Sequence, residues 1–152
     1  MNEKLTHFLE KISYSENHDP RLIRKNKVKI DEKIKNSILK INESNWVWTL
    51  WSCQGHLSGY NKGSLPYLVF IVKKEFLGSL LLKIYQSIPY CAKKELPLVN
   101  GPFSYTVTPG YTDENFSIVS LHYSYARGTL VLNEIQQSIN NLADSITEEN
   151  YG

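Results

Sequence analysis

The sequence predicts an α+β fold, with a mainly antiparallel sheet of about four strands packed with three to four helices. Three observations carry that prediction. Apolar residues recur at three- and four-residue spacing in four segments, the signature of amphipathic helices. Four other segments are short and rich in Val, Ile, Thr, Tyr and Trp. Those strands fall in adjacent pairs, which favours helices laid on an antiparallel sheet over repeated parallel βαβ units. A chain of 152 residues suits one domain, 1–152, with its own core.

The first helix is expected over Glu3–Ile12, with Leu5, Phe8, Leu9 and Ile12 on one face. Ser13–Asn26 is polar and carries Asp19-Pro20, so it reads as a loop; 1–26 thus forms an N-terminal helix and loop. A second helix is expected over Asp31–Asn42. Asp31 is its N-cap candidate, Ile30 a staple, and Ile34, Ile38 and Ile41 its buried stripe. A strand follows over Trp46–Ser52, with bulky residues in both alternating sets.

Leu57–Pro66 holds two glycines, two serines and a proline and reads as a loop. Pro66–Val72 is the clearest buried strand, and the third helix runs over Lys74–Ile88 until Pro89 stops it. Cys91–Pro102 is irregular. Phe103–Thr108 and Phe116–Tyr125 read as a hairpin joined by a turn over Pro109–Asn115. Gly128 lies near a loop before the last helix, about Leu132–Thr147, striped by Ile135, Ile139, Leu142 and Ile146. A frayed tail is expected over 148–152.

No apolar run approaches the ~20 residues that span a bilayer, and the first residues lack a signal-peptide layout, so a cytoplasmic protein with no membrane partner is expected. Two cysteines make no disulfide framework. The net charge is +2, too small for sequence-independent DNA binding. It is uneven, however. Arg21–Lys40 holds eight basic residues, including Lys25 and Lys27, against Asp31 and Glu32 alone. Such a segment attracts phosphate, RNA or an acidic partner, or is simply a solvated face.

The chemistry concentrates where the first strand stops, at Trp51-Ser52-Cys53-Gln54-Gly55-His56. Cys53 and His56 have the spacing of a zinc-ligand pair, but Cys91 and His122 complete no recognisable four-ligand pattern, so no metal is expected. Cys53 as a nucleophile needs a base, His56 or His122, and a lowered pKa; the alternative is a small residue filling a strand end. A binding loop asks least. Gly55 allows close approach or positive φ, Ser52, Gln54 and His56 supply hydrogen bonds, and Trp48 or Trp51 a stacking face. In a second cluster, His122-Tyr123-Ser124-Tyr125-Ala126-Arg127-Gly128, alternation places His122 and Ser124 on one face, and Arg127 is an anchor for phosphate or carboxylate. The scattered Tyr60, Tyr67, Tyr85, Tyr90, Tyr105 and Tyr111 read as core or rim.

The order Asp19, Lys25, Val28–Ile34, Ile41-Asn42, Thr49 and Ser52-Cys53-Gln54-Gly55-His56 resembles the opening of the wybutosine-synthesising tRNA methyltransferase family. That family has a basic-Gly element, an Asp-x-x-Ile helix start, an Ile-Asn near the helix end, and a strand end Thr-x-x-Ser-Cys-Ser-Gly-Arg. The resemblance covers 19–56; beyond it only element order agrees. Here Gln54 replaces the second Ser, His56 replaces the Arg, and no Gly stands beside Lys25. The resemblance implies S-adenosylmethionine as cofactor and RNA as partner, with Ser52, Gly55 and His56 positioning cofactor or base.

Two functions are therefore expected from different classes. One is binding of a nucleotide-like ligand at the Ser52–His56 loop, in its enzymatic form by an RNA-modifying methyltransferase relative. The other is a non-catalytic bacterial or phage interaction protein, an inhibitor or ligand-sequestering protein, suggested by small size, aromatic content and lack of a catalytic signature.

Overall fold

The computed structural model describes residues 3–12, 20, 30–55, 65–88, 103–125 and 128–149. Helix α1 (Glu3–Lys11) comes first. A 3-10 turn (Glu32–Ile34) leads into α2 (Lys35–Glu43), followed by strands β1 (Val47–Cys53) and β2 (Tyr67–Lys73). A second 3-10 turn (Lys74–Phe76) leads into α3 (Leu77–Ser87). Strands β3 (Phe103–Thr112) and β4 (Phe116–Tyr125) precede α4 (Gly128–Thr147). The expected loops over Ser13–Asn26, Leu57–Pro66 and Cys91–Pro102 lie wholly or mostly outside the described residues.

One four-stranded sheet runs β1-β2-β4-β3, and every neighbouring pair is antiparallel. This is the α+β class read from the sequence. Helices cover both faces. Ile34, Ile38 and Ile41 of the second helical segment, Leu80 and Ile84 of α3, and Ile135, Ile139 and Leu142 of α4 bury one face with Val47, Leu68, Phe70, Val119 and Leu121. On the other face α1 places Leu5, Phe8 and Leu9 on Trp48, Leu50, Val69, Ile71 and Phe116. Beta strands send alternate side chains to opposite faces, and β2 feeds both cores at once. No helix among the described residues is long and apolar enough to cross a membrane.

Several boundaries differ from expectation. Asp31 stands at the N-cap position of the first 3-10 turn, but its carboxylate does not cap it. That carboxylate instead accepts the N–H of Gln54 at 3.0 Å. Strand β3 continues through Pro109 to Thr112, where a turn was expected. It lies at the sheet's edge, where a proline is tolerated, and the register shifts between Pro109 and Thr112. Gly110 lies against Ile118 there. The turn itself is short: Asp113 Oδ1 accepts the N–H groups of Asn115 at 2.7 Å and Phe116 at 2.9 Å. Helix α4 starts at Gly128, four residues before the expected Leu132.

Two details decide what the β1 edge of the sheet can do. In β1, Thr49 pairs with Phe70 and Trp51 with Val69, so Leu50 is an inserted bulge residue. Beside it, buried Asn42 of α2 accepts the Thr49 N–H at 3.1 Å and donates to Thr49 Oγ1 at 2.7 Å and to the Ile38 carbonyl at 2.8 Å. An α2 side chain thus occupies the edge of β1.

Candidate functional site

The bulge at Leu50 resets the alternation of β1. Trp51 and Cys53 now point to the same face as Trp48 and Leu50, while Ser52, paired with Leu68, points to the other. Without the bulge, Trp51 would share the face of Val47 and Thr49.

The strand end is tied down from three directions. Gln54 donates its N–H to Asp31, its side-chain Oε1 accepts the Lys33 N–H at 2.7 Å, and its carbonyl accepts from Gln136 Nε2 at 3.2 Å. Gly55 has φ +80°, a conformation that favours glycine. A Cβ there would stand 2.7 Å from Leu132 Cδ1 and 2.9 Å from Pro66 Cγ. Protein atoms therefore fill the space that glycine leaves.

Cys53 is buried, and its Sγ accepts the Gly55 N–H at 3.4 Å. Burial pushes the thiol pKa up; the Gly55 N–H opposes this, while the charge and hydrogen bond of Asp31 add to it. The thiol is thus held protonated, the reverse of an activated nucleophile. Among the described residues no three His, Cys, Asp or Glu side chains cluster as metal ligands do.

Pairing across the sheet extends this end into a row. Cys53 pairs with Tyr67, Tyr67 with His122, and His122 with Thr106. The Tyr67 and His122 rings lie 5.8 Å apart at an interplanar angle of 30°. Burial raises the Tyr67 pKa, and Cys53 and Asp31 add to it, so its hydroxyl stays a neutral donor. The flanking rows on this face carry Trp51, Ser120 and Thr108 on one side and Ser124 and Ser104 on the other. His122, Ser124, Ser104, Thr106 and Thr108 are exposed, and Trp51 and Tyr67 half-buried. Helix α1 packs the other end of the face, and Trp51 and Tyr67 sit at the margin of its cluster.

The structure therefore brings Trp51, Cys53 and His122 onto one face. It adds Tyr67, which sequence reasoning left among the scattered tyrosines. Its partnership with His122 depends on register between strands far apart in the chain. Ser52 is half-buried on the helical-layer face. Gln54 and Gly55 act as the frame of the loop. His56, Lys25, Lys27 and Arg127 lie outside the described residues.

No family model matches the chain. No curated protein matches it either. Among solved structures, the PH1069 protein from Pyrococcus horikoshii overlays with a TM-score of 0.36 and 15% sequence identity, covering 84% of each chain.

Proposed function

We propose that the protein binds a nucleotide-like ligand at the Ser52–His56 loop and the exposed His122 end of the α1 face beside it. The observation that carries this reading is the Tyr67–His122 ring pair on a surface bordered by serine and threonine hydroxyls. Flat aromatic groups offer stacking faces to a base, and hydroxyls both donate and accept hydrogen bonds at its edges. In its enzymatic form the protein is an RNA-modifying, S-adenosylmethionine-dependent methyltransferase relative, a reading supported by the Thr49 to His56 motif resemblance. Methyl transfer depends chiefly on aligning donor and acceptor, so a rigid frame matters more than a general base. The bonds that fix Gln54 and Gly55 supply such a frame. Lys25, Lys27 and Arg127 are the phosphate or RNA contacts in this proposal.

Titration with adenosine nucleotides, S-adenosylmethionine and a short oligoribonucleotide, followed by tryptophan fluorescence and calorimetry, tests it. Saturable binding is expected, weakened about tenfold or more in Tyr67→Ala and in His122→Ala, the cost of one lost stacking partner. Both variants should keep the wild-type circular dichroism spectrum. Binding that is absent for all three ligands, or unchanged in both variants, overturns the proposal.

The second reading, a non-catalytic interaction protein, draws on a different surface. Leu81, Leu82 and Tyr85 are 40%, 56% and 48% exposed along α3. Apolar surface of this kind, when contiguous, marks protein contacts.

A further inference from the structure

The two edges of the sheet are treated differently. At the β1 edge, Asn42 occupies Thr49 and the Leu50 bulge interrupts the ladder. Strand β3 forms the opposite edge, and among the described residues β4 is its one strand partner. Its ten residues, Phe-Ser-Tyr-Thr-Val-Thr-Pro-Gly-Tyr-Thr, include no charge. Natural edge strands are commonly guarded by lysine, proline, bulges or a covering element. Here the proline and the irregular register begin at Pro109, so among the described residues no such guard falls on Ser104–Thr108.

An apolar groove runs alongside. Leu77 and Leu81 of α3 face Val107, Pro109 and Val119 across a space of about 380 Å³. Exposed Tyr85 continues the α3 side. An occupant of this surface must therefore be an extended strand. It must present apolar side chains on the helical-layer face and polar ones on the other, and no charge to bury beside Val107 and Leu81. Strand β3 itself has that pattern. Tyr105 and Val107 share the face of the helical layer with Tyr123 and Leu121, while Ser104, Thr106 and Thr108 share the other with His122.

We infer that β3 is the interface for a second copy of this chain, paired antiparallel through Ser104–Thr108 about a two-fold axis near Thr106. Directly opposed residues in an antiparallel pair share a face, so the axis falls on a residue and not between two. With the axis on Thr106, Tyr105 opposes the partner's Val107 beside the groove. Ser104 opposes the partner's Thr108 on the hydroxyl face. The two sheets then join into one of eight strands, and Leu81 is covered by the added strand. The inference stands on the β3 edge and does not depend on the nucleotide reading.

Light scattering after size exclusion, with the full chain at about 100 µM, tests it against the affinities expected of small interfaces. A mass twice the 17.5 kDa of one chain is expected. Thr106→Lys sets two like charges opposite each other at the axis, and Leu81→Glu places a charge in the groove. Each should weaken dimerisation at least about tenfold while the melting curve of the dilute monomer stays unchanged. Thr106→Cys under mild oxidation should give a covalent dimer that the wild-type chain does not form, because opposed residues on paired strands suit disulfide geometry. A monomeric wild-type protein overturns the inference. So does a dimer that both charged variants leave intact, or a Thr106→Cys protein that fails to cross-link.

Discussion

Asp31 and Gln54 exchange caps between a helix start and a strand end. The Asp31 carboxylate accepts the Gln54 N–H, and the Gln54 side chain accepts the Lys33 N–H inside the turn that Asp31 opens. A residue placed to cap its own helix thus caps the end of β1, and β1 returns the cap. The same carboxylate reaches the Cys53 thiol. This exchange is one of the joints between the fold and the candidate site, beside the Gln136 bond to the Gln54 carbonyl.

Removing the Asp31 charge should loosen the thiol more than the fold. Burial remains the first cause of the raised Cys53 pKa, but the charge and hydrogen bond of Asp31 contribute to it. In a Cys91→Ser background, Asp31→Asn is expected to shift the pH profile of thiol labelling to lower pH. At neutral pH, Cys53 should then react several-fold faster, because the thiolate is the attacking form. Labelling rates measured across pH decide it; an unchanged profile would mean that Asp31 does not govern the thiol.

Gly55→Ala should be among the most damaging small substitutions in the chain. The positive φ costs a Cβ-bearing residue about 1–2 kcal/mol. The added atom would also stand within 2.7 Å of Leu132 Cδ1, and overpacking of this kind costs about 1–3 kcal/mol. Urea unfolding should show a loss of about 2–5 kcal/mol, combining those two costs. Adding Leu132→Ala should lessen the further damage done by Gly55→Ala, since it removes one clash and leaves the backbone strain. A double-mutant cycle with no coupling would place the cost elsewhere.

What the sequence revealed, and what it hid, follows from the range of the signals. The stripes Ile34, Ile38, Ile41 and Ile135, Ile139, Leu142, Ile146 are local periodicities, and each faces the core as expected. Trp51-Ser52-Cys53-Gln54-Gly55 was legible as a strand ending in unusual residues. Its actual geometry was not, because the Leu50 bulge leaves no trace in a strand with bulk on both faces. One inserted residue decides where Trp51 and Cys53 point. Tyr67 and His122 meet only through the register of β2 on β4, which no local pattern encodes. Pro109 misled in the opposite sense: a local turn signal proved compatible with an edge strand.

Asp113 gives the fold an acid-side weakness. Burial opposes its ionisation, but the N–H groups of Asn115 and Phe116, with Lys11 and His7 nearby, outweigh this and hold its pKa below the usual carboxylate range. A group whose folded pKa is depressed stabilises the protein above its unfolded pKa, for an ordinary Asp about 3.9. That stabilisation is lost as pH falls through the folded value. Asp113→Asn should therefore destabilise the protein at neutral pH. The gap between variant and wild type should narrow below about pH 4, where the carboxyl protonates in the unfolded chain. Since Lys11 Nζ lies 3.8 Å from Asp113, the same substitution should loosen the end of α1 on the sheet. Melting curves from pH 7 to 3 read the first effect, and hydrogen exchange in α1 reads the second.

Asn42→Ala tests whether the β1 edge is guarded by design of the side chain or by bulk alone. Asn42 is 1% exposed, and Thr49, its partner in two hydrogen bonds, is equally buried. Removing the amide strands the Thr49 N–H and hydroxyl away from water, and each unsatisfied buried group costs about 1–3 kcal/mol. A loss of about 2–6 kcal/mol in urea unfolding is expected for the two groups together. The variant also frees a second sheet edge, so it should assemble beyond the wild-type state, seen as a concentration-dependent rise in light scattering under native conditions. A variant that loses stability without further assembly would show that α2 covers the edge by packing, with the amide serving only to satisfy Thr49.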